Sequence, residues 1–418
     1  MPDDAIQLRQ PTAETLRAWV EPVAAAFGET FTDAEFEHDR DLFELDRLIG
    51  AVDGETWVGA GGAYSFRLTI PGGEIPAAGI TMIGVAPTHR RRGILRSMMR
   101  WLLEQAHERG EPVSILYATE AAIYPNFGFG LASLTSSLDI DPRRTRFARQ
   151  AQPLGRIRFV EQEEALRLMP PVYDAIRDRT PGAISRDATK WRVELVADTK
   201  WWSASGGPKF MAVLEVDGVV RGYAIYRVKN EWGDRGPNNT LLVLEVTGLD
   251  PAAERALWEW LLSIDLVGRI KVRHGPVPHP LTLQVTEPRQ LGMTFVRDGL
   301  WLRILDVAAA LEARSYAAAG SLTLELTDEF CPWNAARWRI EVSRGDESGA
   351  RGVATVSATN ADADLTLDTT DLAATYLGGF TFTDLARAGR VGERRPGAVE
   401  AADAMFATVV KPWCSTGF

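Results

Sequence analysis

The sequence predicts two consecutive α/β units followed by an α+β domain, on three observations. Residues 79–118 run strand, glycine-containing turn, amphipathic helix, strand; residues 210–275 repeat that order with hardly a residue in common; and from about 306 a helix gives way to strands and then to further helices. Strand, helix, strand implies parallel or mixed pairing, and its recurrence reads as a divergent internal duplication. A chain of 418 residues is also long for one core, since domains run about 100–200 residues. The expected segments are 1–150, 151–305 and 306–418.

Each element has a local reason. Leu48 to Ile70 alternates around Asp53-Gly54, a hairpin signal, and a strand follows at Gly79 to Val85. After Pro87 the period becomes helical, with Ile94, Met98, Trp101, Leu102 and Ala106 on one face and Gly110 as the stop. Residues 113–118 then read as a buried strand. In the second unit, Asp250-Pro251 marks a helix start, Asp as N-cap and Pro at the first helical position, with Ala256, Leu257, Trp260 and Leu261 as the apolar stripe. The last segment opens with a helix at Val307 to Ala319. Strands at 321–327, 336–343, 351–359 and 363–368 follow it, then helices near 371–378, 383–389 and 397–410.

Composition excludes several classes. Hydrophobic residues make up 45% and charged residues 24%, as in ordinary globular chains, and no run approaches the ~20 apolar residues of a membrane helix. A net charge of −10 disfavours nucleic acid, whose binding rests on neutralising phosphates, and favours a cationic partner. The opening residues carry no secretory signal, and two cysteines, Cys331 and Cys414, build no disulfide framework, so a cytoplasmic protein is expected. The five histidines are scattered without metal-ligand spacing, and no G-x-S-x-G nucleophile elbow occurs.

The stretch richest in chemistry is Ile83-Gly84-Val85-Ala86-Pro87-Thr88-His89-Arg90-Arg91-Arg92-Gly93-Ile94-Leu95. A glycine turn that opens a helix leaves backbone N–H groups at the positive end of the dipole, and guanidinium forks pair well with phosphate oxygens. Taken alone, the same residues also read as a basic surface cluster capping a helix. A phosphate-hydrolysing loop is excluded because no Lys-Ser/Thr follows the glycine. Beyond the next strand comes Tyr117-Ala118-Thr119-Glu120, then Ile123-Tyr124-Pro125-Asn126-Phe127-Gly128-Phe129. Tyr124 reads either as a packed aromatic or as a proton donor.

This arrangement resembles the GNAT acyl-CoA-dependent N-acetyltransferases, whose motif R/Q-x-x-G-x-G/A stands here as Arg90-x-x-Gly93-x-Leu95, with Leu in place of the last small residue. With Asp298-Gly299-Leu300-Trp301-Leu302-Arg303 and the Thr375-Tyr376-Leu377-Gly378-Gly379 segment added, nearly the whole chain resembles the enhanced intracellular survival family of aminoglycoside N-acetyltransferases. The resemblance implies two GNAT-like domains, the second degenerate, a sterol-carrier-protein-like third domain, and assembly as a homohexamer. It implies acetyl-CoA as co-substrate, held by Ile83, Gly84 and Val85, by Arg91, Arg92, Gly93, Ile94, Leu95 and Arg96, and by Thr119 and Glu120. It implies Tyr124 as general acid and the carboxylate of the terminal Phe418 as general base.

Two further expectations concern substrate and binding. The acidic run Glu29, Asp33, Glu35, Glu37, Asp39, Asp41, Glu44, Asp46 lies where such folds place their substrate lobe; it reads either as an attractor of polycationic amines or as a solvated helix face. In the second unit the counterpart of the arginine turn is Thr247-Gly248-Leu249-Asp250-Pro251-Ala252-Ala253-Glu254, which would repel a pyrophosphate, so no second acetyl-CoA site is expected. Lipid carriage by residues 306–418, beside a vestigial transferase half, is the alternative from a different class, and lysine or polyamine acetylation the alternative from the same one.

Overall fold

The computed structural model describes residues 6–199, 206–234, 236–343 and 352–418. The chain forms two compact units. One gathers the described residues of Met1–Ser133 and Leu300–Lys411 with Gly417 and Phe418; the other gathers those of Leu134–Gly299 with Pro412–Thr416.

In the first unit a seven-stranded sheet runs, in spatial order, Gln7–Arg9, Leu48–Asp53, Thr56–Ile70, Gly73–Val85, Val113–Tyr117, Leu300–Ile304, Gly130–Leu131. The expected hairpin closes with Asp53 opposite Thr56. Helix Ile94–Glu108 follows the sheet, and its buried face is Ile94, Met98, Met99, Leu102, Leu103 and Ala106, while Trp101 is only half-buried. Each of the Ile, Met and Leu side chains removed from water contributes about 1.5–3 kcal/mol. The strand before the helix is longer than periodicity foresees, starting at Gly73, because Pro76 and the glycines blur its alternation.

The same unit holds a second, five-stranded sheet: Ala354–Ala358, Arg337–Val342, Gly320–Thr327, Leu365–Asp368, Gly392–Glu393. Helices Val307–Ala313, Thr369–Tyr376, Phe382–Arg387 and Ala398–Phe406 accompany it. The first of these is shorter than the expected 307–319: Arg314 is extended and Gly320 starts a strand. Of the strand expected at 351–359, Arg351 lies outside the described residues, and the rest is observed as Ala354–Ala358. Thr369–Tyr376 is buried on every side, because the strand Gly130–Leu131 lies directly against its backbone; a Cβ on Gly130 would overlap the Thr370 carbonyl.

The second unit has its own seven-stranded sheet: Phe295–Asp298, Leu134–Ile140, Val267–Gly275, Asn239–Gly248, Val219–Lys229, Lys209–Val216, Arg156–Phe159. Strand Asn239–Gly248, helix Pro251–Ser263 and strand Val267–Gly275 repeat the strand–helix–strand order, with the two strands parallel. The strands interleave relative to the segments 1–150 and 151–305. Leu134–Ile140 pairs into the second sheet, whereas Leu300–Ile304 enters the first between Val113–Tyr117 and Gly130–Leu131. Main-chain pairing over such a separation leaves no local periodic trace. None of the described helices is long and apolar enough to cross a membrane.

Candidate active site

The cleft of the first unit begins with a defect in its sheet. Gly73–Val85 pairs with Val113–Tyr117 only at Ala77–Val113, Ala78–Ser114 and Gly79–Ile115. Beyond Gly79 the parallel neighbours part. On the other side, Thr81 faces Gly62 but Gly84 faces Ala60, so one extra residue is inserted, and Met82 takes a left-handed φ of 53°. A bulge of this kind bends its strand. The edge of Ile83, Gly84 and Val85 that would meet the parallel neighbour is thereby left without a strand partner, as an extended ligand arm requires. Gly84 has a second reason to be glycine, since a Cβ there would meet the Val23 backbone 2.7 Å away.

After the strand, Arg91 (φ 65°) and Gly93 (φ 79°) adopt left-handed backbone at the mouth of helix Ile94–Glu108. Alternation of this type turns successive N–H groups toward one point. Gly93 is the N-cap, and no side chain caps this helix. Its first amides are therefore free of a side-chain cap at the positive end of the dipole, an arrangement that suits an anion. Arg90 is tethered to the Ala26 carbonyl (3.2 Å), and His89 bonds Asp53 (3.0 Å) and Thr88 (2.8 Å), which fixes the turn. Arg91 and Arg92 are exposed and make no side-chain hydrogen bond among the described residues.

A cleft of about 750 Å³ collects these features. Its lining includes Ile83, Gly84, Val85, Arg91, Gly93, Ile94, Leu95, Arg96, Thr119, Glu120 and Tyr124. Of the residues expected to hold the co-substrate, only Arg92 is outside that lining. Tyr124 begins the 3₁₀ turn Tyr124–Phe127 and is 7% exposed, edge-on to Phe129. Burial, and then the Glu120 carboxylate, push its phenol above the ordinary value, so it stays protonated through the neutral range.

Phe418 is not in the lining of this cleft. Its ring packs on Phe66 (centroids 5.0 Å apart) and Tyr117 (5.3 Å). A Cβ on Gly79 would lie 3.2 Å from it. The terminal residue thus reaches the point where the two parallel strands part. In the second unit, Thr416 accepts from Arg186 Nε (2.8 Å) and shares a hydrogen bond with Tyr173 (2.9 Å), while Ser415 donates to Glu245 (2.7 Å). Arg186 and Glu245 form a bidentate pair at 2.8 and 2.9 Å, with side chains 0% and 2% exposed. Sequence reasoning missed this clamp, whose partners are far apart in the chain.

A second support was equally hidden. The Arg303 guanidinium, fully buried, pairs with both Asp328 oxygens (2.7 Å to Oδ1), donates to Thr369 (2.8 Å) and reaches the Gly128 carbonyl at 3.4 Å. Gly128 closes the Tyr124 turn at φ 80°, and a Cβ there would overlap the guanidinium. Phe330, from the segment before Cys331, lies under the Arg96 guanidinium (4.9 Å) and meets Phe127 edge to face (5.0 Å). Breaking a buried ion pair costs about 3–5 kcal/mol because the orphaned charge stays buried. Arg303→Met is expected to lower the unfolding free energy measured by urea titration by that amount and to loosen the Tyr124 turn; an unchanged unfolding free energy would show that the pair contributes nothing.

The acidic run is largely used up locally. Thr32 and Glu35 form a capping box on helix Asp33–Asp39, Asp33 pairs with Arg17 (3.0 Å), Glu37 with Arg40 (2.9 Å) and Asp46 with Arg109 (2.6 Å). Glu44 accepts from the backbone and hydroxyl of Ser65 at 2.7 and 2.6 Å. In the second unit the expected mismatch is visible: the Asp250 carboxylate accepts from the Ala252 and Ala253 amides (3.0 and 2.9 Å) and pairs with Arg221. The helix terminus that lies open in one unit is filled by its own side chain in the other. Among the described residues no cluster of His, Cys, Asp or Glu is arranged to hold a metal ion.

Splayed strands with an uncapped, arginine-flanked helix start and a buried tyrosine define an acyltransferase of GNAT architecture. Residues 7–132 and 182–304 match models of acetyltransferase (GNAT) domains, and residues 307–415 a sterol carrier protein domain. An uncharacterized N-acetyltransferase of Streptomyces avermitilis is 39% identical over 427 residues, covering 100% of both chains. N-acetyltransferase Eis of Mycobacterium tuberculosis is 35% identical over 373 residues, 86% of each chain. The crystal structure of Eis1 from Mycobacterium abscessus superposes with a TM-score of 0.83 at 32% identity, covering 99% of this chain and 100% of that one. The chain belongs to the Eis family of GNAT N-acetyltransferases.

Proposed function

We propose that the protein transfers the acetyl group of acetyl-CoA to amines of aminoglycoside-like polycations, at one or several positions. The observation that carries the reading is a cleft joining an unpaired strand edge, an uncapped helix start with the exposed Arg91 guanidinium, and a buried protonated phenol. The main chain of Ile83 to Val85 suits the pantetheine arm, and Arg91, Gly93 and the first helical amides suit the pyrophosphate. The neutral amine nitrogen attacks the thioester carbonyl, the C–S bond breaks, and Tyr124 gives its proton to the departing sulfur. The Phe418 carboxylate orients the amine and takes its proton after attack. A terminal carboxyl titrates near ~3.5 and an alkylammonium near ~10, so the carboxylate is too weak to deprotonate the free ammonium beforehand.

Polycation selectivity is supported by the net charge of −10 more than by the acidic run, most of whose members have local partners. Assembly as a homohexamer and a cytoplasmic setting belong to the same proposal; Cys331 and Cys414 are both free thiols and buried, which suits a reducing compartment. One cleft of the C-terminal domain, about 830 Å³, has Asp328, Asp368, Asp371 and Arg390 in its walls beside Leu326, Leu367 and Val391, which does not favour a lipid there.

The deciding experiment is acetyl-CoA-dependent thiol release with an aminoglycoside and a lysine peptide in parallel. Release with the aminoglycoside alone supports the proposal, release with the peptide alone moves the substrate class, and no release with either overturns it. Arg91→Ala is expected to raise KM for acetyl-CoA by about tenfold or more, since a hydrogen bond to a charged group contributes ~1.5–3 kcal/mol. The effect should shrink as salt rises, and an unchanged KM would remove Arg91 from the site.

A further inference from the structure

The second unit holds a cavity of about 370 Å³ that the acetyl-transfer reading leaves unused. It opens where Asn239–Gly248 and Val267–Gly275, paired as far as Val243–Val272, separate. No residue of helix Pro251–Ser263 lines it, so it does not lie at that helix start. Its floor is apolar, with Ile225, Leu242 and Val243. Its polar wall is cationic.

The charges on that wall do not cancel. Glu245 is saturated, accepting from Arg186 twice, from Tyr223 (3.0 Å) and from Ser415 (2.7 Å). Glu194 is paired with Lys190 at 2.6 Å. Arg227 is 5% exposed; its Nη1 meets Asp198 (2.7 Å) and the Gly207 carbonyl (2.7 Å), but its Nη2 has no hydrogen-bond partner among the described residues. A buried N–H left unmade costs about 1–3 kcal/mol, more on a charged group. The side chains of Lys271 and Arg273 make no ion pair or hydrogen bond among the described residues, although the Lys271 charge acts on the Glu231 carboxylate. Lys209 is held by the carbonyls of Leu195 (2.8 Å) and Ala197 (2.5 Å). Burial and then the nearby Arg227 charge lower it to about 8, as expected where positive charge is in excess.

We propose that this cavity is a binding site for a small organic anion, a carboxylate or phosphate on an apolar body. The anionic head takes the free Nη2 of Arg227 and the Lys271 ammonium, and the body lies on Ile225, Leu242 and Val243. The volume falls in the usual range for small-ligand sites, roughly 300–1,000 Å³.

The test is calorimetric titration of the full chain, with desulfo-CoA saturating the acetyl-CoA cleft so that anion binding there is blocked. Benzoate and phenyl phosphate probe the whole site, acetate and inorganic phosphate the head alone, and benzyl alcohol the body alone. Benzoate or phenyl phosphate is expected to bind at least about tenfold more tightly than its head-only or body-only counterpart, and the tighter of the two identifies the head group. Lys271→Glu, at a half-buried position, is expected to weaken that binding by about tenfold or more while leaving the thermal midpoint of the unliganded protein unchanged. If the variant unfolds, Lys271→Gln with the same readout replaces it. The proposal is overturned if neither aromatic anion binds, if the head alone binds as well as the whole, or if substitution of Lys271 leaves affinity unchanged.

Discussion

Tyr124→Phe is expected to lower turnover by about 10²–10⁴-fold, the usual contribution of a positioned acid, while acetyl-CoA still binds. The phenol is buried, and only the hydroxyl is removed, so packing against Phe129 is kept. The ordinary phenol titrates near ~10 and a thiol near ~8.5; burial and Glu120 raise Tyr124 further. A full proton transfer to a free thiolate is then uphill, which requires the proton to move as the C–S bond lengthens, when the sulfur is not yet a relaxed, solvated thiolate. The sign of the pH dependence follows. The acid form is present at and below neutrality and is lost only as pH rises through the raised value, so the wild-type kcat profile should show a Tyr124-linked fall on the alkaline side of the ordinary phenol range, and the Phe variant should lack that fall. Full turnover in Tyr124→Phe would end the acid role, and lost acetyl-CoA binding would mean that the substitution had collapsed the cleft.

How much of this site could be read from the chain depends on where its determinants lie. The helix start at Gly93, the strand edge before it and the tyrosine turn after it are local, within some 45 residues, and glycine, arginine and period 3.6 announce them. Asp250-Pro251 is equally local, and the helix it caps begins at Pro251. The bulge is different. Nothing about Met82 or Arg91 advertises a left-handed φ, because the conformation is imposed by pairing and by the turn, not preferred by the residue. Arg303 is more instructive still. The segment around it is recognisable as a family signature, yet its physical role, a buried guanidinium against Asp328 under the Gly128 turn, joins residues 25 and 175 positions away. The acidic run shows the converse error: composition counts charges, but only geometry shows that Asp33, Glu37 and Asp46 are already neutralised by Arg17, Arg40 and Arg109.

Extension of the chain by a few residues beyond Phe418 is expected to abolish most turnover, by about 10²-fold or more as for loss of a general base, without changing acetyl-CoA affinity. The ring of Phe418 has aromatic neighbours on both sides, Phe66 and Tyr117, and rests over Gly79, where no side chain could stand. Two residues earlier Thr416 is fixed by Arg186 and Tyr173. A terminus is ordinarily free to fray, but here Thr416 and the Phe418 ring each have partners within their own unit. An added peptide converts the carboxylate into a neutral amide and pushes bulk past the ring. Phe418→Ala separates the two effects, since it keeps a terminal carboxylate but loses the ring contacts: kcat should fall less than on extension, and added acetate should rescue neither. Arg186→Met provides the independent check. It removes the guanidinium that holds Thr416 and leaves Glu245 buried without its partner, so stability and turnover should fall together, with stability down by about 3–5 kcal/mol. Undiminished release by the extended chain would keep the transferase and discard its terminal base, leaving the amine to lose its proton to water.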